Sequence, residues 1–508
     1  MISYLASVAI AAILVSCVYT KFQPKANIAH VPAVPIYRTI LAMLLKLPFD
    51  DVLAFTGQLD LLHKFKMIRA YFQGEWTVMV ACPKMAQAIY TDTESFPKLV
   101  PTHQNKDLVF SKLTGHSAFF SSNEEWRTQR KTLLDPAAFI SYISHKSTLT
   151  TLDQTMQNMC TRLQTQTTHD CLDIMQRITF DCLTKQFLNQ DFNQTTQTKS
   201  NPMLSLFDNA FDYSHTLLTF LLPSLQNPKN PFYLKVYEDI NNWEACLKSL
   251  VIGARKTLEI EGISGEPDLV TKMVIAAKAN NFSDDSITDN LKMLFLPSQS
   301  LPPALCAAFH FLAQESQVQE KVYAEISSLI GPSKEGFSLT GEQLKSLPYL
   351  SAVIKETLRL YPTLCPPPKR VAAKDVVIEG QTIPKGTSVM IDMFAIQRDP
   401  SLFENPTEFN PTRFLGSKFN GSLKSSEDSL LAGFLPFAAG TRRCPASQLV
   451  DHLMLNILAN AIYKFQVVYP VKSASATLSL PHLKFKLKLQ PKVIFIPDNL
   501  QLSFEKRL

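Results

Sequence analysis

The chain of 508 residues is long enough for about two to four domains, but no low-complexity linker, charge block or internal repeat divides it after its N-terminal segment, so we expect one large domain. Its net charge of +6 is modest for this length and does not indicate a nucleic-acid-binding protein. Nine cysteines without paired spacing favour a reducing compartment over a disulfide framework.

An apolar run at the N-terminus predicts a membrane anchor. Residues 2–19 carry no charged side chain, and about 18 helical residues span roughly 27 Å, close to the thickness of a bilayer core. Lys21 and Lys25 follow the run and no basic residue precedes it, so the positive-inside rule places the remainder in the cytosol. A cleaved signal peptide is the alternative, although its basic n-region is missing. We expect an anchor over residues 1–20, a proline-containing hinge over 21–36 and the large domain over 37–508.

Helix-spaced apolar residues dominate the rest of the chain, and short strand patterns interrupt them. The expected helices are Thr150–Leu163, Asp239–Ile260, Ala304–Leu329 and Leu449–Phe465. The expected strands are Thr77–Ala81, Val376–Glu379, Ser388–Met393 and Lys484–Leu489, with EGQTIPKGTS as a turn-rich hairpin connection.

Two stretches carry arginines at informative positions. Trp126 and Arg130 are four residues apart in EEWRTQR and share a helix face, and Arg370 follows a run of three prolines. Arginine and tryptophan N–H groups are the donors that an anionic, planar cofactor requires. A surface salt bridge is the alternative for either arginine.

In KETLRLYP, Glu356 and Arg359 are three residues apart and also share a helix face. Such a pair is common on solvated helices. A buried ion cluster is the alternative, and it would need every charge paired.

The run FAAGTRRCPA, residues 437–446, places Cys444 between a glycine turn and a predicted helix. Neighbouring cations, a metal and a helix N-terminus favour the thiolate that a metal ligand requires. Gly440 lets the backbone turn and approach a flat ligand, and Phe437 offers an aromatic wall. Arg442 and Arg443 supply cationic donors, and one of them can clamp a carboxylate. A thiolate on an iron porphyrin is the simplest chemistry for this arrangement, and a buried structural cysteine is the alternative.

This run resembles the heme-binding loop of the cytochrome P450 superfamily, although Ala446 stands where the family usually has glycine. The other motifs follow in the family's order, and the resemblance covers essentially the whole chain. It implies a mainly α fold with small β-sheets (α+β) behind an N-terminal transmembrane helix, held as a single-pass protein in the endoplasmic reticulum membrane with a cytosolic catalytic domain. The sequence is similar in style to fungal members of secondary metabolism.

The resemblance also assigns residues and partners. Cys444 would be the axial ligand of heme b, with Phe437 and Gly440 in its loop. The heme propionates would be held by Trp126, Arg130, Arg370 and Arg442. The structural cluster would comprise Glu356, Arg359 and Arg413. Candidates for substrate contact are Phe119, Phe120, Thr363 and Leu364. A reductase would bring electrons from NADPH to a basic surface of Arg127, Lys131 and Arg443, with cytochrome b5 as a further partner and a lipophilic small molecule as substrate.

The chain departs from the family where oxygen-activating members carry an acid and an alcohol in a long helix. Aligning DNLKMLFLPSQSLPPAL on that pattern puts Gln299 at the acid and Ser300 at the alcohol. Gln299 cannot titrate, whereas the Ser300 hydroxyl can still relay a proton. Three prolines surround this pair, so the helix either continues with carbonyls left unpaired, or ends near Leu296 and restarts with Pro302 in its first turn. Both alternatives predict a widened, polar break.

Three functional interpretations follow. The first is a monooxygenase with an altered proton relay through Gln299, Ser300 and water. The second is an isomerase or dehydratase of the same fold that does not activate dioxygen. The third is a heme-binding protein with little turnover.

Overall fold

A computed structural model describes residues 26–470, 487–488 and 496–507, apart from residues 46, 48, 73, 100–106, 135–145, 167, 189, 191, 198–200, 214–225, 261, 263–266, 332–336, 338, 364–367, 416–432 and 498. The predicted anchor over residues 1–20 and the first part of the predicted hinge, residues 21–25, lie outside the described residues. Among the helices that are described, none is both long and apolar enough to cross a bilayer.

Helices make up most of the described chain. They are α1 Ile36–Leu44, α2 Phe49–Thr56, α3 Gln58–Phe65, α4 Pro83–Thr91, α5 Val109–Thr114, α6 Asn123–Thr132, α7 Lys146–Gln164, α8 Cys171–Leu188, α9 Pro202–Tyr213, α10 Leu234–Ile260, α11 Leu269–Ala279, α12 Asp284–Leu294, α13 Pro297–Gln314, α14 Ser316–Ile330, α15 Gly341–Lys345, α16 Pro348–Leu360, α17 Met393–Ile396 and α18 Ser447–Lys464. Short 3₁₀ turns cover Ala26–Ile28, Pro231–Tyr233, Pro411–Phe414 and Gly440–Arg442.

The strands form small sheets at the periphery of these helices. They are β1 Met67–Phe72, β2 Glu75–Val80, β3 His169–Asp170, β4 Arg370–Val371, β5 Val376–Ile378, β6 Gln381–Ile383, β7 Ser388–Ile391, β8 Phe465–Val468, β9 Leu487–Lys488, β10 Ile496–Pro497 and β11 Gln501–Lys506. The largest sheet has the order β1-β2-β7-β4, in which β2 and β7 are parallel and the other pairs are antiparallel. The fold is therefore mainly helical with small sheets, as the sequence predicts.

One sheet edge places two cationic residues side by side. Arg370 of β4 is in register with Val389 of β7. On its other side, Arg370 forms an isolated antiparallel bridge with Lys98. Bridged residues are direct neighbours across two strands. The bridge therefore brings two basic residues together that are far apart in sequence.

Helix α13 lies at the centre of the molecule. Its side chains are buried all round from Leu301 to Leu312, and it packs against α8, α16 and α18. Such an all-apolar helix is stable only in the interior of a large domain. Its N-terminal end therefore brings Ser300 and its neighbours into the core.

The predicted helix Ala304–Leu329 is wrong in one respect, because the structure breaks it between α13 and α14. Glu315 leaves the helical conformation at φ −105° and ψ 74°. The Gln319 side chain donates to the carbonyl of Leu312 at 2.7 Å and to that of Val467 at 2.9 Å. The break is thus held by a side chain that satisfies a helix-end carbonyl and ties it to β8.

The other boundaries differ at their ends. Strand Ser388–Met393 was predicted too long, because the Asp392 side chain accepts from the Ala395 N–H at 2.9 Å and caps helix α17, which includes Met393. The hairpin connection itself contains β6, which pairs with β5. Of the predicted strand Lys484–Leu489, only Leu487–Lys488 lies within the described residues, and it is a strand.

Candidate functional site

The cysteine loop packs on helix α4. Gly440 has φ +70°, a conformation that favours glycine, and a Cβ on it would lie 2.6 Å from the carbonyl oxygen of Tyr90 at the end of α4. Gly440 therefore has a packing role against α4. Its close approach to a flat ligand stays a prediction. The loop closes on itself where the Cys444 N–H donates to the carbonyl of Phe437 at 3.1 Å.

Burial raises the pKa of the Cys444 thiol, although the Ala446 backbone N–H, Arg130, Arg443 and Lys98 all act to lower it. The surrounding cations alone thus do not produce the thiolate that the sequence leads us to expect. A metal bound to the sulfur would complete that stabilisation, because coordination favours the deprotonated form.

Cys444 lines a cavity that also reaches α13. Ser300 and Ala304 of α13 contribute to its wall, as does Phe437 of the cysteine loop. The remaining lining residues are Tyr90, Lys98, Ala118, Phe119, Trp126, Arg130, Leu134, Phe187, Met293, Leu294, Leu296, Pro297, Leu358, Thr363, Pro368, Arg370, Met393, Pro436, Ala438, Arg442, Pro445, Ala446 and Val450. Most of these side chains are apolar, and no carboxylate is among the described residues of the wall.

Four cations share this cavity: Lys98, Arg130, Arg370 and Arg442. Burial, together with repulsion from Arg370 and Arg130, lowers the pKa of Arg442 to about 9. Burial and the same kind of repulsion from the three arginines hold the pKa of Lys98 well below its usual range. Like charges gathered in a buried place are stabilised by an anion between them.

Backbone carbonyls and aromatic rings orient these cations. Arg442 donates to the carbonyls of Ala118, at 3.2 Å, and Ser121, and its guanidinium lies 4.2 Å from the centre of the Trp126 ring. Arg370 donates to the carbonyl of Phe96 at 2.8 Å. Neutral carbonyls fix the direction of a guanidinium but leave its charge available for a ligand.

Arg130 and Lys98 are oriented in the same way. Arg130 donates to the carbonyl of Arg443 at 3.3 Å. Lys98 Nζ donates to the carbonyl of Phe119 at 2.8 Å and lies 3.9 Å from the centre of that ring. Lys98 was not predicted, because its place in the site depends on the bridge to Arg370 and no local motif marks it.

Glu356, Arg359 and Arg413 form a buried ion cluster. Arg359 Nε lies 2.7 Å from Glu356 Oε2, and Arg413 Nε lies 3.0 Å from Glu356 Oε1. Arg359 also donates to the carbonyls of Gln397, Pro406 and Glu408. Glu356 and Arg359 have no exposed side-chain surface. Their ion pairs and hydrogen bonds therefore offset the free-energy cost of burying the charges.

The prolines break the helix earlier than either expectation. Helix α12 ends at Leu294 and α13 begins at Pro297, so Pro297 occupies the first turn, where its missing N–H is harmless. The alternative that placed Pro302 in a first turn is wrong, because α13 runs through Pro302 and Pro303. The two residues at the break are apolar, Phe295 at 2% exposure and Leu296. A polar, water-holding gap beside Ser300 stays a prediction.

The two candidate relay residues face different surroundings. Ser300 lines the cavity, whereas Gln299 is not part of its wall. The Gln299 side chain is 5% exposed, and its Nε2 donates to Oδ1 of Asp208 on helix α9. Asp208 lies 91 residues before its partner in the chain, so no local motif marks the pair.

Only some of the predicted substrate-contact residues belong to the cavity wall. Phe119 and Thr363 line the cavity. Phe120 is 2% exposed and packs edge-on against Phe119, with ring centres 4.8 Å apart, so it supports the wall from behind. Leu364 lies outside the described residues. Phe187 of α8 lines the cavity and was not predicted.

The site therefore combines one cysteine with a set of cations that suits a planar, dianionic, metal-bearing group. The model of the family cytochrome P450 matches residues 54–493. The chain belongs to the cytochrome P450 family, for which a heme with a cysteine thiolate on its iron is implied.

Named relatives match parts of the chain. Salutaridine synthase of Papaver somniferum is 34% identical over 189 residues, which cover 37% of each chain. Cheilanthifoline synthase of Eschscholzia californica is 34% identical over 228 residues, covering 44% of this chain and 45% of the relative. The chain thus matches less than half the length of these two curated relatives. Both come from plants, so the likeness to fungal members stays a prediction.

Solved structures support the fold. The heme domain of cytochrome P450DA superimposes on this chain with a TM-score of 0.75 at 19% identity, covering 94% of this chain and 98% of that one. A mutant of the same heme domain gives a TM-score of 0.75 at 20% identity with the same coverage. At this level of identity the likeness shows the fold alone.

Proposed function

We propose that the protein is a heme-thiolate monooxygenase that oxidises a lipophilic small molecule in secondary-metabolite biosynthesis. The observation that carries this proposal is the meeting of Cys444 with Lys98, Arg130, Arg370 and Arg442 on one largely apolar cavity. A single soft ligand beside a cluster of buried cations fits an iron porphyrin with two carboxylates.

Heme b fits the residues present. Cys444 Sγ would bind its iron, and the four cations would be donors for its propionates, assisted by the indole N–H of Trp126. When bound, the heme supplies the activation of dioxygen with electrons that a reductase delivers from NADPH. The protein's part is to bind and orient the cofactor and the substrate and to exclude water.

The substrate is proposed to be lipophilic because of the side chains around it. Phe119, Leu134, Phe187, Leu358 and Met393 line the cavity. Apolar walls gain free energy by removing apolar substrate surface from water, roughly 25 cal/mol per Å². Few polar groups interrupt this wall, so they are suited to fixing the orientation of the substrate.

Ser300 is the proposed holder of a proton at the cavity. Its hydroxyl can donate and accept, and it belongs to the wall. Gln299 has no titratable group and is engaged with Asp208. Gln299 therefore acts as a positioning residue, while Ser300 Oγ is the site of proton exchange with the cavity.

A second candidate is an isomerase or dehydratase that needs neither dioxygen nor a reductase. It is favoured by the absence of a carboxylate among the described residues of the cavity wall. A heme-binding protein with little turnover is the third candidate, and measurable product formation would exclude it.

The partners follow from the same proposal. Arg127 and Lys131 are exposed on helix α6, where they can meet an acidic surface of NADPH-cytochrome P450 reductase or of cytochrome b5. The predicted anchor over residues 1–20 would place the protein in the endoplasmic reticulum membrane with the catalytic domain in the cytosol.

The experiment is the carbon-monoxide difference spectrum of the reduced, membrane-bound protein. We expect the full thiolate-type band both with NADPH plus reductase and with a strong chemical reductant. A band with the chemical reductant alone would favour the isomerase or dehydratase. We expect Cys444→Ala to lose the band, while Cys160→Ala, a control at a buried cysteine outside the cavity wall, keeps it. A full band from Cys444→Ala would contradict the assignment of the ligand.

A further inference from the structure

A carboxylate stands beside Gln299, but it belongs to a different helix. Asp208 of α9 accepts a hydrogen bond from Gln299 Nε2 of α13. Resting on the proposed monooxygenase function, we propose that Asp208 is the titratable group that α13 lacks, taking protons from solvent and passing them toward Ser300. Acid and alcohol are then contributed by two helices, with Gln299 holding the acid in place.

The three residues extend from the surface to the cavity. Asp208 is partly exposed, so its carboxyl group can exchange protons with solvent. Gln299 is 5% exposed, donates to Asp208 and precedes the wall residue Ser300 in α13. A proton taken up at Asp208 is proposed to reach the Ser300 hydroxyl through water.

The amide suits its role as the anchor of the acid. Its N–H faces the carboxylate, which gives a charge-assisted hydrogen bond. A glutamate at position 299 would instead place two carboxylates together, so that one would take up a proton and the pair would titrate as a unit. The amide leaves Asp208 as the single titratable group of the pair.

The prolines of α13 provide acceptors along the proposed route. Pro302 and Pro303 have no N–H, so the carbonyls of Ser298 and Gln299 lack their usual donors four residues ahead. Such carbonyls can bind water near Ser300. The carboxyl O–H of Asp208 breaks as its proton passes to this water. Ser300 Oγ accepts a proton from the water while releasing its own to the cavity, and solvent reprotonates Asp208.

The decisive experiment exchanges the acid and the amide. Asp208→Asn keeps a hydrogen-bonding partner for Gln299 but has no titratable proton, so we expect the rate of NADPH-dependent product formation to fall about 10²-fold, the lower end of what a positioned acid or base contributes to a rate. The double variant Asp208→Asn/Gln299→Glu returns an acid to the pair on the other helix and is expected to restore most of the loss. Asp285→Asn, at a side chain that is 77% exposed on α12, is the control and should behave as wild type.

A measurement without turnover accompanies the exchange. In the resting protein, infrared difference spectra between low and high pH should show a carboxyl band that shifts in D₂O and is missing in Asp208→Asn. Wild-type rates from Asp208→Asn, or no recovery in the double variant while its carbon-monoxide band is intact, would overturn the proposal and leave the pair as a structural tether. Absence of any NADPH-dependent product from the wild type would instead overturn the proposed function, and the infrared band would still report on Asp208.

Discussion

The side-chain oxygen of Gln397 accepts the backbone N–H of Leu435 at 2.9 Å. The amide end of the same side chain donates to the carbonyls of Leu358, at 3.0 Å, and Arg359, at 2.9 Å. Gln397 therefore connects the helix of the buried ion cluster to the segment that leads into the cysteine loop. We therefore expect this buried amide to position the cysteine loop relative to the ion cluster.

Replacing Gln397 tests this connection. Gln397→Leu keeps the approximate volume but leaves buried backbone groups without partners, each worth about 1–3 kcal/mol. We expect a loss of about 3 kcal/mol or more in the free energy of unfolding, measured with urea, and a smaller carbon-monoxide band. Gln154→Leu, at an exposed position, should change neither. An unchanged band in Gln397→Leu would contradict the proposed positioning role.

The ion cluster allows a buried ion pair to be compared with an exposed one whose residues are equally far apart in sequence. Glu356→Gln leaves the buried Arg359 and the half-buried Arg413 without their carboxylate, and removal of one partner from a buried ion pair typically costs about 3–5 kcal/mol of stability. Glu238 and Lys235 have the same three-residue spacing as Glu356 and Arg359, with side chains 63% and 70% exposed. We expect urea unfolding to show a large loss for Glu356→Gln and no measurable change for Glu238→Gln. Similar losses for both would show that burial is not the cause.

Gly440 can be compared with Gly386, since both have positive φ. Gly386 has φ +76° and no atom within 4 Å of the position that a Cβ would take. Gly386→Ala should therefore lose only about 1–2 kcal/mol, from backbone strain. Gly440→Ala adds a clash with the Tyr90 carbonyl, so we expect about 1–3 kcal/mol more, together with loss of heme. Thermal unfolding and heme content measure both effects, and equal losses would argue against the packing role.

His452 of α18 predicts an acid-sensitive contribution to stability. It is 7% exposed, and burial lowers its pKa to about 4. Below the ordinary pKa near 6.5 the unfolded state binds a proton that the folded state does not, so this contribution is lost as pH falls from about 6.5 to 4, by up to 1.4 kcal/mol per pH unit. We expect His452→Leu to make the slope of the unfolding free energy against pH less positive in this window than it is in wild type.

Comparing His452→Leu with wild type separates the contribution of His452 to the pH dependence of stability from that of its neighbour Asp451. Burial raises the pKa of Asp451 to about 6, so its contribution to stability is lost as pH rises from about 4 to 6, opposite to that of His452. His30→Leu, at an exposed histidine, should leave the pH dependence as in wild type. An equal slope in His452→Leu and wild type would contradict the prediction.

Local sequence spacing predicted much of the candidate site. Glu356 with Arg359, and the loop around Cys444, are short motifs whose chemistry is readable without the fold. The mainly helical class followed from apolar periodicity, which α10 shows along the face that it buries.

What the sequence did not predict depends on distant partners. Lys98 enters the site through its bridge to Arg370, and Asp208 meets Gln299 from 91 residues away. The break between α13 and α14 depends on Gln319 reaching Val467. Local patterns carry no information on contacts that form only when separate elements pack together.

The repulsion among Lys98, Arg130, Arg370 and Arg442 lowers the stability of the folded protein before heme binds. Newly made chains carry this cluster before any heme arrives, and an anionic cofactor that binds only the folded state shifts the folding equilibrium toward it. Chains that wait for heme are therefore more often unfolded and more open to proteases. We expect the abundance of the protein to follow the heme supply of its host.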